Sequence, residues 1–391
     1  RLRAVEIVEI SMKSLIISPF FYPKPISTGL YKTDLASKLL STGNEVHVWC
    51  FHPFYPDWKL KKTHQKIKGL KVKRGKPLIP FLQNQFLDRI ILEVAFLRFV
   101  LIRKLKCKQS FHNIIFISPP TLSMIVLKAF NKNCNKVVIV HDLQFIHLQS
   151  KNYKLSRLVF FIEKKLMLFA DKLIFLSKEM EGFFSNSNQF IKMRTSIQWP
   201  FVNINKNPEG GRILNSGTNI VYSGALGAKQ SPEKLLSLFE YTSNQNSDWN
   251  FYFFSSGGYF EALKKSSKNP KIHFLPLVDK EKVYQLYAES TVQIIPQTPE
   301  SSKGSLPSKL PNLIYSETKI LTITDSQSEL EKIIEEYPYG ISINSWDNHA
   351  FTKALDQLVR MKATYKSKEI KNMCQQYFSI DSLINKIFSD E

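Results

Sequence analysis

The sequence predicts two doubly wound parallel α/β domains in one chain. Short β-branched runs alternate with stretches of helical spacing, the pattern of parallel βαβ units. The pattern runs from residue 13 to 177, breaks at a segment rich in Pro, Asn and Gly (200–216), and restarts at 219. The 391 residues suit two domains that each bury an ordinary core. At 43% hydrophobic and 22% charged, the composition is that of a globular chain.

Residues 13–18 (KSLIIS) are the first strand, 30–41 a helix ended by Gly43-Asn44, and 45–51 (EVHVWCF) the second strand. A basic loop (59–76) and a long apolar helix (86–106) follow. Then come a strand at 114–118, a helix from Thr121, a strand at 136–140, a helix at 151–170 and a strand at 172–177. The second set has strands at 219–223, 250–255, 271–276, 291–296 and 319–324. Its helices start at Ser231, 280, 307 and 326. The domain boundaries are 12–200 and 201–375, with 376–391 a helix packing back on the first domain. Residues 1–11 look like an upstream extension without a signal-peptide core.

Cys50, Cys107, Cys134 and Cys374 lack metal or disulfide spacing and read as reduced thiols of a cytoplasmic protein. The apolar run 86–102 is interrupted by Asp88, Arg89, Glu93 and Arg98, so no spanning helix is expected.

The charge is uneven. Residues 1–200 hold 33 Lys and Arg against 12 Asp and Glu; residues 201–391 hold 21 of each. A lysine-rich genome would bias both halves. A basic half implies a polyanionic neighbour, and without a nucleic-acid motif an anionic membrane surface is preferred to nucleic acid. Two clusters sharpen this: nine Lys and Arg within 59–76, and Arg98, Arg103, Lys104, Lys106 and Lys108 in and after the apolar helix. That helix, with Phe86, Ile90, Ile91, Phe96, Phe99 and Leu101, reads either as buried between domains or as lying in a lipid headgroup layer. The second reading makes the protein peripheral on the inner face of the cell membrane.

Four loops carry candidate chemistry, because parallel sheets bind ligands beyond their carboxyl strand ends. In the first, Gly29 lets a ligand approach a helix start, though from this loop alone an ordinary helix cap is the preferred reading. GxGxxG is missing, which weighs against a dinucleotide oxidoreductase. In the second, His141 and Asp142 end a strand; they are either reacting-centre groups or a strand-end histidine bonded to backbone. In the third (SGALGAKQSP), Gly224 and Lys229 stand between a strand and a helix whose cap is Ser231 and whose first turn holds Pro232. This is chemically a diphosphate site, and not a Walker loop. In the fourth, Gly304, Ser305, Leu306, Pro307 and Ser308 open a helix, with Lys309 on its first turn and Lys303 beside it. A lysine there is disfavoured by the helix dipole unless an anion is present, so a ligand is preferred to two solvated lysines.

Taken together, these loops resemble the GT-B glycosyltransferases of the retaining family-4 type, and within it the colanic-acid and exopolysaccharide transferases. The matching segments are STGLYKTDLASKLLSTGNEVHVW, FHPFYPDWK, VHDLQF, EKKLMLFADKLIFLSKEM, YSGALGAKQSPEKLL, PLVDKEKVYQLYAESTVQIIP and KGSLPSKLPNLIYSETKIL. They run in order from Met12 to about Leu330.

The resemblance implies two Rossmann-like domains facing a central crevice, and transfer of a sugar from a UDP- or GDP-sugar to a lipid-linked or other saccharide acceptor. It places Gly29 near the donor diphosphate and His141 and Asp142 near the transferred sugar. Gly224, Lys229 and Gly304 through Lys309 fall at the donor. No cofactor or metal is implied, and the chain has no DxD. The two family glutamates fall on Ser301 and Lys309, with Glu300 one position off. Ala225 stands where the subgroup often has Asn, and Ser316-Glu317-Thr318 where an alanine-glycine turn is usual. Those departures leave open a non-catalytic GT-B-like partner of a membrane enzyme, or a sugar-nucleotide epimerase.

Overall fold

The computed structural model describes residues 12–23, 27–55, 58–149, 153–185, 194–204, 211–298, 306–362 and 367–389. The chain divides into two units. Unit 1 takes Arg1–Phe175, Glu181–Ile197 and Leu383–Glu391; unit 2 takes Leu176–Met180 and Gln198–Ser382.

Unit 1 is built on β1 (Lys13–Ile17), β2 (Glu45–Phe51), β3 (Lys71–Gly75), β4 (Asn113–Ser118), β5 (Asn135–Val140), β6 (Lys172–Phe175) and β7 (Arg194–Ile197). They form one sheet in the order β3-β2-β1-β4-β5-β6-β7, and each recorded pair is parallel. Its central strands are buried on both faces, which is why they read as unbroken β-branched runs. The connections include α1 (Ser27–Ser41), α2 (Gln85–Lys106), a 3₁₀ segment (Leu122–Ala129), α3 (Gln144–Gln149), α4 (Tyr153–Met167) and α5 (Lys178–Ser185).

α2 starts where the Asn84 side chain accepts from the N–H groups of Phe86 and Leu87. Asp88, Leu92, Phe96 and Val100 form its buried face, with the Phe96 ring 5.1 Å from Phe51. The other face is apolar as well. Phe86, Leu87, Ile90, Val94, Leu101 and Leu105 are exposed along it. Of the six large residues named from the sequence, Phe86, Ile90 and Leu101 are exposed, Ile91 and Phe99 are partly buried, and Phe96 belongs to the core.

Unit 2 carries β8 (Thr218–Ser223), β9 (Trp249–Phe254), β10 (Ile272–Leu275), β11 (Val292–Pro296), β12 (Ile320–Ile323) and β13 (Gly340–Ile343). The order is β10-β9-β8-β11-β12-β13, again parallel. Its helices are α6 (Pro232–Gln245), α7 (Gly258–Ser266), α8 (Val283–Glu289), α9 (Leu310–Tyr315), α10 (Glu329–Glu336), α11 (Asn348–Arg360) and α12 (Ser367–Tyr377); α13 (Ile380–Phe388) begins in unit 2 and belongs to unit 1 from Leu383. Phe239 of α6 anchors the core, its ring 5.0 Å from Phe251 and 4.9 Å from Phe253.

β3, β7 and β13 were not expected from the sequence. All three are sheet edges. β3 falls in the basic segment read as a loop; its exposed lysines suit an edge strand, where charge blocks further pairing. The chain returns to unit 1 in α13. Lys172 Nζ donates to the carbonyls of Lys386 (2.8 Å) and Ser389 (2.7 Å), placing a cation at the helix's negative end.

Candidate functional site

The order of the first sheet reverses between β1 and β4, so the carboxyl ends of β1, β4 and β5 are where a doubly wound sheet binds ligands. His141 sits there, directly after β5. Its N–H donates to the Ser118 carbonyl at 3.0 Å, fixing it to the end of β4. The Tyr31 ring of α1 stands edge-on to the imidazole at 4.5 Å. The residue is part-exposed, yet Nε2 is buried and has no hydrogen-bond partner. Burial, with the Lys32 charge second, holds the imidazole well below its usual value; Asp142 opposes this. The ring is therefore neutral at neutral pH and can donate or accept one proton.

The loop that carries His141 is held from behind by two carboxylates. Glu93 of α2 accepts from the N–H groups of Thr121 and Leu122, both at 2.8 Å, and from the Gln144 side chain. Glu163 of α4 is fully buried and accepts from the N–H groups of Gln144 (2.9 Å) and Phe145 (3.3 Å). Both carboxylates thus satisfy amides that open a helix. Burial lifts Glu163 to about 8. Asp142 faces the same turn, its Oδ1 accepting from Leu143 N at 3.1 Å. Gly29 is buried in the first turn of α1, and its carbonyl accepts from Thr33 Oγ1 at 2.8 Å. Thr33 Oγ1 also accepts from Tyr22 N at 3.2 Å, tying the loop after β1 to α1.

Sequence reasoning missed Tyr31, Lys32, Glu93 and Glu163. A signal for Lys32 was present. It lies three and four residues before Leu35 and Ala36, on the buried stripe of its helix.

In unit 2 the corresponding reversal lies between β8 and β11. The loop after β8 leaves through Gly224, whose φ of +138° only glycine adopts without strain. Its N–H donates to the Phe254 carbonyl at 3.0 Å, and Tyr222 Oη donates to the Ala225 carbonyl at 2.7 Å. A short 3₁₀ turn (Ala228–Gln230) then carries Lys229, which is exposed. The Lys229 carbonyl accepts from Thr298 N at 2.9 Å, so the loops after β8 and β11 are tied together.

Pro232 opens α6 as expected, but Ser231 does not cap it through its hydroxyl. Ser231 is itself left-handed (φ 44°), and Gln230 Oε1 instead accepts from Gly227 N at 3.1 Å.

Leu306 is buried, Pro307 partly so and Ser308 exposed; the helix begins at Leu310 rather than Pro307. Lys309 turns inward. Its Nζ donates to the carbonyls of Ser223 (3.1 Å) and Ile294 (2.8 Å) and lies 4.6 Å from the Tyr222 ring centroid. Those contacts use the ammonium to join β8 to β11, a structural placement where a donor contact was expected. Glu300, Gly304 and Ser305, with Ser301 and Lys303, lie outside the described residues.

No protein-family model matches the chain, and no curated protein matches it in sequence. Solved structures do match. Sucrose-phosphate synthase from Thermosynechococcus elongatus is 14% identical with a TM-score of 0.69, covering 96% of this chain and 98% of its own. A lipopolysaccharide outer core galactosyltransferase is also 14% identical, with a TM-score of 0.63 and coverage of 97% and 99%. The catalytic domain of starch synthase IV from Arabidopsis thaliana, bound to ADP and acarbose, is 12% identical with a TM-score of 0.64 and coverage of 96% and 99%. The likeness establishes the fold: two Rossmann-like parallel-sheet domains of the GT-B kind.

Proposed function

We propose that the protein is a retaining glycosyltransferase that moves a sugar from a UDP- or GDP-sugar to a lipid-linked saccharide in cell-surface polysaccharide synthesis. The observation that carries the reading is the turn after β8. A strand end, a left-handed glycine, a lysine and a helix N-terminus occur there in succession. Exposed amides and a cation at a helix start stabilise the charge that develops on a departing diphosphate. Lys229 and Gly224 are the donor groups in this scheme, and His141 with Asp142 act at the transferred sugar. A trehalose-6-phosphate structure from E. coli, similar in fold, is bound with UDP-2-fluoro glucose.

The test is acceptor-dependent release of UDP or GDP by the purified chain. A panel of nucleotide sugars is offered with and without polyprenyl-diphosphate-linked saccharides. Release only with acceptor, and a product that keeps the donor's anomeric configuration, is expected. Sugar isomerisation without release would identify an epimerase. Donor binding with no chemistry would identify a non-catalytic partner.

A seat on an anionic bilayer follows from α2 on the same reading. Among the described residues no helix is long and apolar enough to cross a membrane. The exposed stripe of α2, extended by Leu78, Ile79 and Leu82, is flanked by exposed Arg89, Arg98 and Lys106. An apolar face bordered by cations fits the headgroup layer, each cation adding up to about 1 kcal/mol. Vesicle co-sedimentation checks it. Binding to anionic vesicles should fall with salt and fall again in Ile90→Asp; equal binding to neutral vesicles, or none to either, would remove the membrane seat.

A further inference from the structure

Lys172, Lys309, Lys319 and Lys386, buried or half-buried, each place the ammonium on main-chain carbonyls at 2.7 to 3.2 Å. Lys32 does not. It is 1% exposed, in the second turn of α1. Its Nζ lies 4.8 Å from the Phe20 ring centroid, and among the described residues it makes no hydrogen bond or ion pair. Burying a cation without a partner is costly. Lys32 also lies near enough to His141 for its charge to act on the imidazole. His141 contributes a buried polar atom with no hydrogen-bond partner, Nε2.

Beside the imidazole stand the Tyr31 ring and the Asp142 charge, and Asp142 Oδ1 accepts from Leu143 N. An added oxyanion would supply what both atoms lack: an acceptor for the ammonium and an acceptor for Nε2–H.

We propose that Lys32 and His141 form an anion-binding half-site in unit 1 that receives a phosphoryl group of the ligand. It rests on the transferase reading only for the origin of that group, which is either the donor diphosphate or a phosphate of the acceptor. An entering anion stabilises the charged lysine, so binding draws a proton from solvent. Burial alone holds Lys32 down to about 7, so near pH 8 most of it must take up that proton.

Calorimetry on the full chain at pH 8 tests this without any turnover, in two buffers of different ionisation enthalpy. The probes are inorganic pyrophosphate, UDP and GDP. The expected result is proton uptake with at least one probe, and in Lys32→Met binding weaker by about tenfold or more with the uptake abolished. If UDP or GDP affinity falls in the variant, the anion is the donor's. If only pyrophosphate affinity falls, with nucleoside diphosphate already saturating, the anion is the acceptor's. Lys32→Met should melt higher than wild type when no anion is present. Unchanged affinity for every probe in the variant overturns the half-site. Should Lys32→Met not fold, absence of proton uptake by wild type with all three probes does so. A failure of sugar transfer would not affect either readout.

Discussion

Lys32 in unit 1 and Lys309 in unit 2 are alike in most respects. Each stands near the carboxyl ends of a parallel sheet, and each lies against an aromatic ring, at 4.8 Å from Phe20 and 4.6 Å from Tyr222. Burial brings both down to about 7. They differ in what the ammonium touches. Lys309 has two carbonyls, one from each central strand of its sheet; Lys32 has a ring and an imidazole with a bare Nε2 beside it. A buried cation alone does not mark a ligand site. What separates the two is the acceptor that the Lys32 ammonium lacks, since most buried polar groups of a folded chain are satisfied.

The comparison predicts unequal effects of the same substitution. Both substitutions relieve the cost of burying an amine, but Lys309→Met also strands two carbonyls and should be less favourable than Lys32→Met by about 1–3 kcal/mol. Urea denaturation of both variants in phosphate-free buffer measures it. Equal changes would erase the distinction between them.

A smaller effect is in the pH dependence. Both lysines have folded values depressed from 10.5 to about 7. Between those values the unfolded chain holds protons that the folded chain has lost, so stability rises with pH there. The cost is fully present below about 7 and fades towards 10.5. Each lysine adds a slope of up to about 1.4 kcal/mol per pH unit. From pH 8 to 9.5, Lys32→Met should show a shallower rise than wild type. A slope that the substitution leaves alone would mean Lys32 is not buried as a neutral amine.

Much of the fold was legible in the sequence because central parallel strands are buried on both faces and appear as runs such as KSLII and NIIFIS. Edge strands lack that pressure, so KVKRG and RTSI did not stand out. The strand-end positions of His141 and Lys229 could be read from strand-then-loop order alone. What surrounds them could not. Glu93 and Glu163 reach the His141 loop from α2 and α4, accepting from the Gln144 side chain 51 residues away and from the Gln144 amide 19 residues away. Spacing along one helix does not reveal such partners. Lys309 shows the reverse failure. A lysine at a helix start next to a glycine loop suggested an anion, and the structure spends its charge on the sheet.

The most direct test of the functional account is a crossed measurement on Lys229→Ala and His141→Ala, with donor affinity and the rate of transfer at saturating donor measured for both. Lys229 is assigned to the diphosphate, so its loss should weaken donor binding about tenfold or more and leave the saturated rate near wild type. His141 is assigned to the transferred sugar, so its loss should lower the saturated rate by about a hundredfold; donor affinity falls with it only if the anion held by Lys32 and His141 is the donor's. If His141→Ala keeps full transfer, or Lys229→Ala keeps donor affinity and loses only the saturated rate, the division of roles between the two strand ends is wrong.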